Sequence, residues 1–184
     1  MLHLKEYKRR SLVFLLLLTG VFVCTAQGLA DFNKERLDIN RIGMYVLGAW
    51  AAGNIVVGST AAFFTRDTAR YFHVMNAAWN VVNISIAAAG LIGISGTDPG
   101  SLAFQETVTE QYNAEKAFLF NAGLDIGYIG FGLFLTALSR EGKLTHLKRG
   151  FGWSLVLQGG FLFVFDLVMY FIQNSHGREV WMYL

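Results

Sequence analysis

A single cysteine, Cys24, excludes an internal disulfide and any cysteine-built metal cluster. A single proline, Pro99, lies in the turn-like segment Gly96-Thr97-Asp98-Pro99-Gly100. Charge is also scarce: 15% of residues are charged, against about 25% in a soluble domain. The net charge of +2 is too small to argue for nucleic acid, so none is expected as a partner. Haem ligation between helices needs two histidines within the spans. Only His73 approaches one, since His146 reads as a loop residue and His176 as a tail residue. HExxH, a phosphate loop and GxGxxG in a workable context are all missing. The glycine-rich stretch Gly127 to Gly132 lies inside an apolar run, where helix packing explains it. No serine or cysteine has a histidine and an acid placed to activate it. No catalytic residue, cofactor or metal site is therefore expected. A membrane enzyme working with acid-base groups alone is the third and weakest reading.

What the chain has in excess is apolar sequence, 54% of its 184 residues. Charges fall in clusters, separated by nearly uncharged stretches of about 20 residues, the length that crosses roughly 30 Å of hydrocarbon. Residues 1–26 read as a signal peptide, with a basic head (Lys5, Lys8, Arg9, Arg10), an apolar run from Leu12 to Val23, and small residues before a cleavage point at Gln27. Retention as an extra N-terminal span is the alternative. A lipid anchor on Cys24 fits less well, because Val23 before it is bulky. Residues 27–184 form the rest, with spans expected at about 42–64, 72–94, 117–138 and 150–172, the third at the end of a helix starting near Phe104. The runs are too long for strands and lack period-two alternation. The expected fold class is all-α, a transmembrane up-down antiparallel four-helix bundle. Glycine and alanine along the spans allow close helix contact.

The loops carry an orientation. Arg66 and Arg70 lie between the first two spans, and Arg140, Lys143, Lys148 and Arg149 lie between the last two. By the positive-inside rule, loops 65–71 and 139–149 face the cytoplasm. Loop 95–116 and the C-terminus then lie outside.

Polar side chains inside the apolar spans are the second excess. His73, Asn76, Asn80 and Asn83 share one face of the second span, at spacings of 3, 4 and 3. Asn54 is expected at about the depth of Asn83, and Gln158 near that of Asn80. Lipid offers amides no hydrogen bonds, so this stripe must face other helices or water. Interhelical bonding, at about 0.6–2 kcal/mol per contact, is the plainer reading. A polar pocket is the sharper one, and Asn121 on the third span joins its candidate lining. Asp125 and Asp166 fall on helices of opposite direction, yet both lie about 10 Å below the outer surface by helical rise. An ionised carboxylate costs about 2.5–3.5 kcal/mol near the bilayer centre. The two must therefore be neutralised, paired or hydrated. Arg41 and Lys116 are the candidate counter-ions. If the acids touch, they should share a proton.

Trp50 and Asn54, the run Met75-Asn76-Ala77-Ala78-Trp79-Asn80 with Asn83, and Gln158-Gly159-Gly160 followed by Asp166 give the chain its likeness. On these residues, over about 35–172, it resembles a family of small uncharacterised bacterial four-span membrane proteins. That resemblance implies a bacterial inner-membrane location and no particular activity. The first functional reading is a non-enzymatic membrane subunit with a hydrogen-bonded polar core, self-associating or bound to another membrane protein. The alternative is a small-solute, ion or proton-binding protein, or a transporter component, that uses the asparagine stripe and the two aspartates.

Overall fold

The computed structural model describes residues 27–140, 142 and 144–183. The signal peptide or extra span expected at 1–26 lies outside the described residues. Four helices make the fold: α1 (Leu2–Phe64), described from Gln27 onward, α2 (Asp67–Ser95), α3 (Phe104–Ala137) and α4 (Thr145–Gly177). A 3-10 turn, Arg178–Tyr183, follows. The described residues contain no strand, and the helices pack together as an all-α bundle.

Short, chemically specific turns set the hairpins. Thr65 Oγ1 donates to the Ala61 carbonyl at 2.7 Å and closes α1. Arg66 is extended and Asp67 takes a positive φ of 51°, a left-handed conformation that aspartate tolerates better than most side chains. The chain thus reverses within two residues. At the other end of α2, Asp98 Oδ1 accepts the Gly100 N–H at 2.9 Å and forms the turn around Pro99. The Ala103 N–H donates to Glu106 Oε2 at 3.0 Å, which satisfies an otherwise free group at the start of α3.

Glycines bring the backbones together. A Cβ on Gly58 of α1 would lie 2.9 Å from the His73 carbonyl of α2, and one on Gly152 of α4 would lie 2.5 Å from the Gly132 carbonyl of α3. Both hairpins are antiparallel. They join along α2 and α4, where Gly150 meets the Thr68 and Phe72 backbone and Gln158 meets Asn76, so these two helices run side by side in one direction. α3 packs mainly on α4, and little of it touches α2. A gap between α2 and α3 follows from that arrangement.

The bundle is inverted relative to a water-soluble one. Its largest fully buried side chains are Gln158, Gln173, Asn33, Asn80, Thr107 and Ser154, while Val56, Phe63, Ile92, Phe120 and Phe171 are exposed. Water would reward the opposite arrangement. All four helices are long and apolar enough to cross a membrane. Two of them outrun the expected spans. The described part of α1 begins fifteen residues before Ile42, and α4 continues to Gly177, so His176 belongs to a helix and not to a tail. These extensions meet the start of α3 in a polar layer at one end of the bundle.

Candidate functional site

The asparagine stripe of α2 faces α1 and α4, where it enters a closed circuit. Trp50 Nε1 donates to Gln158 Oε1 at 3.0 Å. Gln158 Nε2 donates to Asn76 Oδ1. Asn76 Nδ2 donates to Asn54 Oδ1 at 2.6 Å, and Asn54 Nδ2 donates to the Trp50 carbonyl at 2.8 Å. Three helices are tied through one ring of four bonds. The Trp50 indole also stacks on Phe161, with ring centroids 3.8 Å apart. One depth expectation is corrected here: Asn54 meets Asn76, not Asn83, while Gln158 bonds Asn76, one turn from Asn80. The two-residue turn between α1 and α2 sets Asn54, ten residues before the end of α1, opposite Asn76, nine residues into α2. Asn80 Nδ2 donates to the Asn76 carbonyl at 2.8 Å, and Asn83 Nδ2 donates to Asn80 Oδ1 at 3.2 Å. His73 stays outside the circuit, with its Nδ1 buried and unpartnered.

The structure brings Asp125 and Asp166 together. Gly159 makes this approach feasible, since a Cβ there would lie 3.0 Å from the Asp125 carbonyl oxygen. Both carboxyl groups are buried and lie within hydrogen-bonding reach of each other. Two ionised carboxylates are both acceptors, so their contact needs a proton on one of them. With both ionised, Asp125 Oδ2 has no donor at all.

The pair lines a cavity of about 210 Å³ in the gap between α2 and α3. Asn83 and Asn121 also line it, and Met44 and Leu47 of α1 form its back. Trp79 of α2 and Tyr128 of α3 meet edge-to-face, with centroids 4.8 Å apart, and close the side that points toward the α1–α2 turn. The Trp79 indole N–H is buried without a partner. The cavity thus combines an apolar wall with an acidic pair.

Neither candidate counter-ion serves that pair. Arg41 is bound to Asp38, one turn before it on the same helix. The Lys116 ammonium lies over the Tyr112 ring, 5.8 Å from its centroid. Both sit in or beside the polar layer, where nearer partners satisfy them.

That layer holds the residues sequence reasoning missed. Gln111 Nε2 donates to the Gln173 carbonyl at 2.7 Å and to Glu115 Oε1 at 3.0 Å. Gln173 Nε2 donates to Asn40 Oδ1 at 2.9 Å, and Asn33 Nδ2 donates to Thr107 Oγ1 at 2.8 Å. Arg36 is buried beside Asn33 and lies 3.9 Å from Glu110. His176 stacks on Phe32 and donates from Nε2 to the Phe32 carbonyl at 3.1 Å. A signal was present: Asn33, Arg36 and Asn40 are spaced 3 and 4, one helical face. It counts only once residues 27–41 are read as helix.

No curated protein and no solved structure matches the chain. The described circuit, from Trp50 to Gln158, and both aspartates of the cavity fall within residues 46–167, whereas Asn33, Arg36 and Gln173 fall outside them. Those residues, 46–167, match DUF6992, a family of unknown function, and the chain belongs to that family.

Proposed function

We propose that this is a multi-pass membrane protein that binds a small solute inside the bilayer, at the cavity walled by Asp125 and Asp166. The single observation behind the proposal is that the two buried acids lie together on the wall of one cavity lined by all four helices. The circuit of Trp50, Asn54, Asn76 and Gln158 acts as the rigid frame that holds α1, α2 and α4 around the site.

The proposed setting is a bacterial inner membrane, with loops 65–71 and 139–149 in the cytoplasm. The basic residues Arg66, Arg70, Lys148 and Arg149 support that orientation by the positive-inside rule. The polar layer, the acids and the C-terminus then lie toward the outside. A second reading has its own support. The closed circuit is what a non-enzymatic structural or interaction subunit needs, and such a subunit would keep the bundle intact with the cavity filled.

A hydrophobic carbodiimide tests the choice, because it modifies protonated carboxyl groups that it can reach through an apolar medium. Mass spectrometry of the labelled protein in detergent is expected to find the adduct on Asp125 or Asp166, with the outer acids Asp31 and Asp98 far less modified. Val82→Trp, which fills the cavity mouth, should abolish the adduct without unfolding the protein. Unlabelled aspartates in the folded wild-type chain would overturn the binding reading and leave the structural one.

A further inference from the structure

From the cavity's lining we infer that its ligand is a lipophilic monoamine, protonated at nitrogen, that reaches Asp125 and Asp166 from the lipid phase through the gap between α2 and α3. This deepens the binding function proposed above and rests on it.

Size comes first. A cavity of about 150 Å³ accepts benzene. The volume of about 210 Å³ therefore suits one ring, or a short branched chain, with two or three further heavy atoms. Wall chemistry comes second. Phe118, Phe165, Leu124 and Leu162 give an apolar body, with Trp79 and Tyr128 at one side. Such a wall binds hydrocarbon and offers ring faces to a cation. A bare metal ion would leave most of this wall empty, and the described residues hold no group of three ligating side chains.

Charge comes third. With a single proton between them the two acids carry one negative charge, and a bound cation favours that form over the neutral, doubly protonated one. Among the described residues, no basic side chain is bound to them: Arg41 is held by Asp38, and Lys116 rests on Tyr112. One ammonium group supplies the missing positive charge and donates to the carboxyl pair that lines the cavity. A carboxylate ligand would be repelled. A neutral one would leave the charge uncompensated in a low-dielectric site.

The route comes fourth. Val82, Ile86 and Leu124 line the cavity, yet they are 57%, 53% and 42% exposed, so the mouth is rimmed by side chains on the bundle's outer flank. That flank is apolar along its length, as a lipid-facing surface is. An amine that partitions into the bilayer arrives at the mouth with its ring already desolvated.

Equilibrium binding of radiolabelled phenethylamine to the full chain in detergent micelles tests the assignment, with 2-phenylethanol and phenylacetate as isosteric probes. Phenethylamine is expected to bind saturably and about tenfold or more tighter than the alcohol, the scale of one charge-assisted hydrogen bond. Phenylacetate should not bind. Asp166→Asn should remove the amine's advantage while alcohol binding persists, and Val82→Trp should block both. If Asp166→Asn does not elute as a folded species, Asp125→Asn is read in its place, and the amine-to-alcohol ratio on the wild type decides the class without either variant. Equal binding of amine and alcohol, both blocked by Val82→Trp, would overturn the amine assignment and leave the cavity reading standing. No saturable binding of any probe, together with unreactive aspartates toward carbodiimide, would overturn both.

Discussion

At the scale of single residues, Asn76 holds the central place in the bundle. Its amide accepts from Gln158 of α4 and donates to Asn54 of α1, so one side chain spends its oxygen and a proton on two different helices. Asn76→Leu keeps nearly the same shape and leaves Asn54 Oδ1 without a donor and Gln158 Nε2 without an acceptor. A loss of about 1–3 kcal/mol is expected, from the cost of unpaired buried groups. It would be read as a shift in the midpoint of SDS-induced unfolding. Ser85→Ala is the matched control, because Ser85 Oγ bonds only its own helix, at the Val81 carbonyl, and faces outward. Equal midpoints for the two variants would show that the circuit contributes nothing beyond helix propensity.

At the scale of elements, the contacts between helices rest on a few glycines, and not every glycine matters. Gly152 sits against the Gly132 backbone and the Thr136 side chain, so a larger residue must push α4 from α3. Gly127, also within the apolar part of α3, has no other side chain within 4 Å of where its Cβ would be. Gly152→Val is therefore expected to destabilise the bundle by at least about 1–3 kcal/mol, the usual cost of overpacking. Gly127→Ala should be neutral or slightly stabilising, since alanine favours helix over glycine by about 1 kcal/mol. Thermal unfolding in detergent would rank them. The reverse order would mean that the α3–α4 seam yields easily to added volume. That seam also fixes the acids, since Gly159 lies against the Asp125 backbone two turns further along α4.

At the scale of the whole molecule, the inverted burial pattern and the basic loops make a joint statement about surroundings. Apolar side chains cover the outside of the helices, while amides and acids fill the inside. Labelling with a membrane-impermeant thiol reagent tests the proposed orientation in a Cys24→Ser background. A cysteine at Ser101 is expected to react in intact cells, and one at Thr145 only after the membrane is opened. The opposite pattern would invert the bundle and place the polar layer in the cytoplasm.

Much of the architecture was legible in the residues. Long uncharged runs gave the four helices, the start of α3 near Phe104 and the all-α class, because hydropathy and helical period are local properties that survive without knowledge of neighbours. The shared face of Asn76, Asn80 and Asn83 was legible for the same reason. Which groups that face would meet was not. Counting depth along separate spans put Asn54 beside Asn83, whereas the tight turn at Arg66 and Asp67 set it against Asn76. The polar layer was hidden too, because residues 27–41 lack the apolar periodicity that marks a span, and their partners lie far off in sequence on α3 and α4. By itself the sequence determined that acids and amides had to be concealed from lipid, since the cost of exposing them is a property of each side chain. Only the tertiary structure decided which of them bond one another and which surround a cavity, because that depends on helix order and axial register, set by close backbone contacts between segments far apart in the chain.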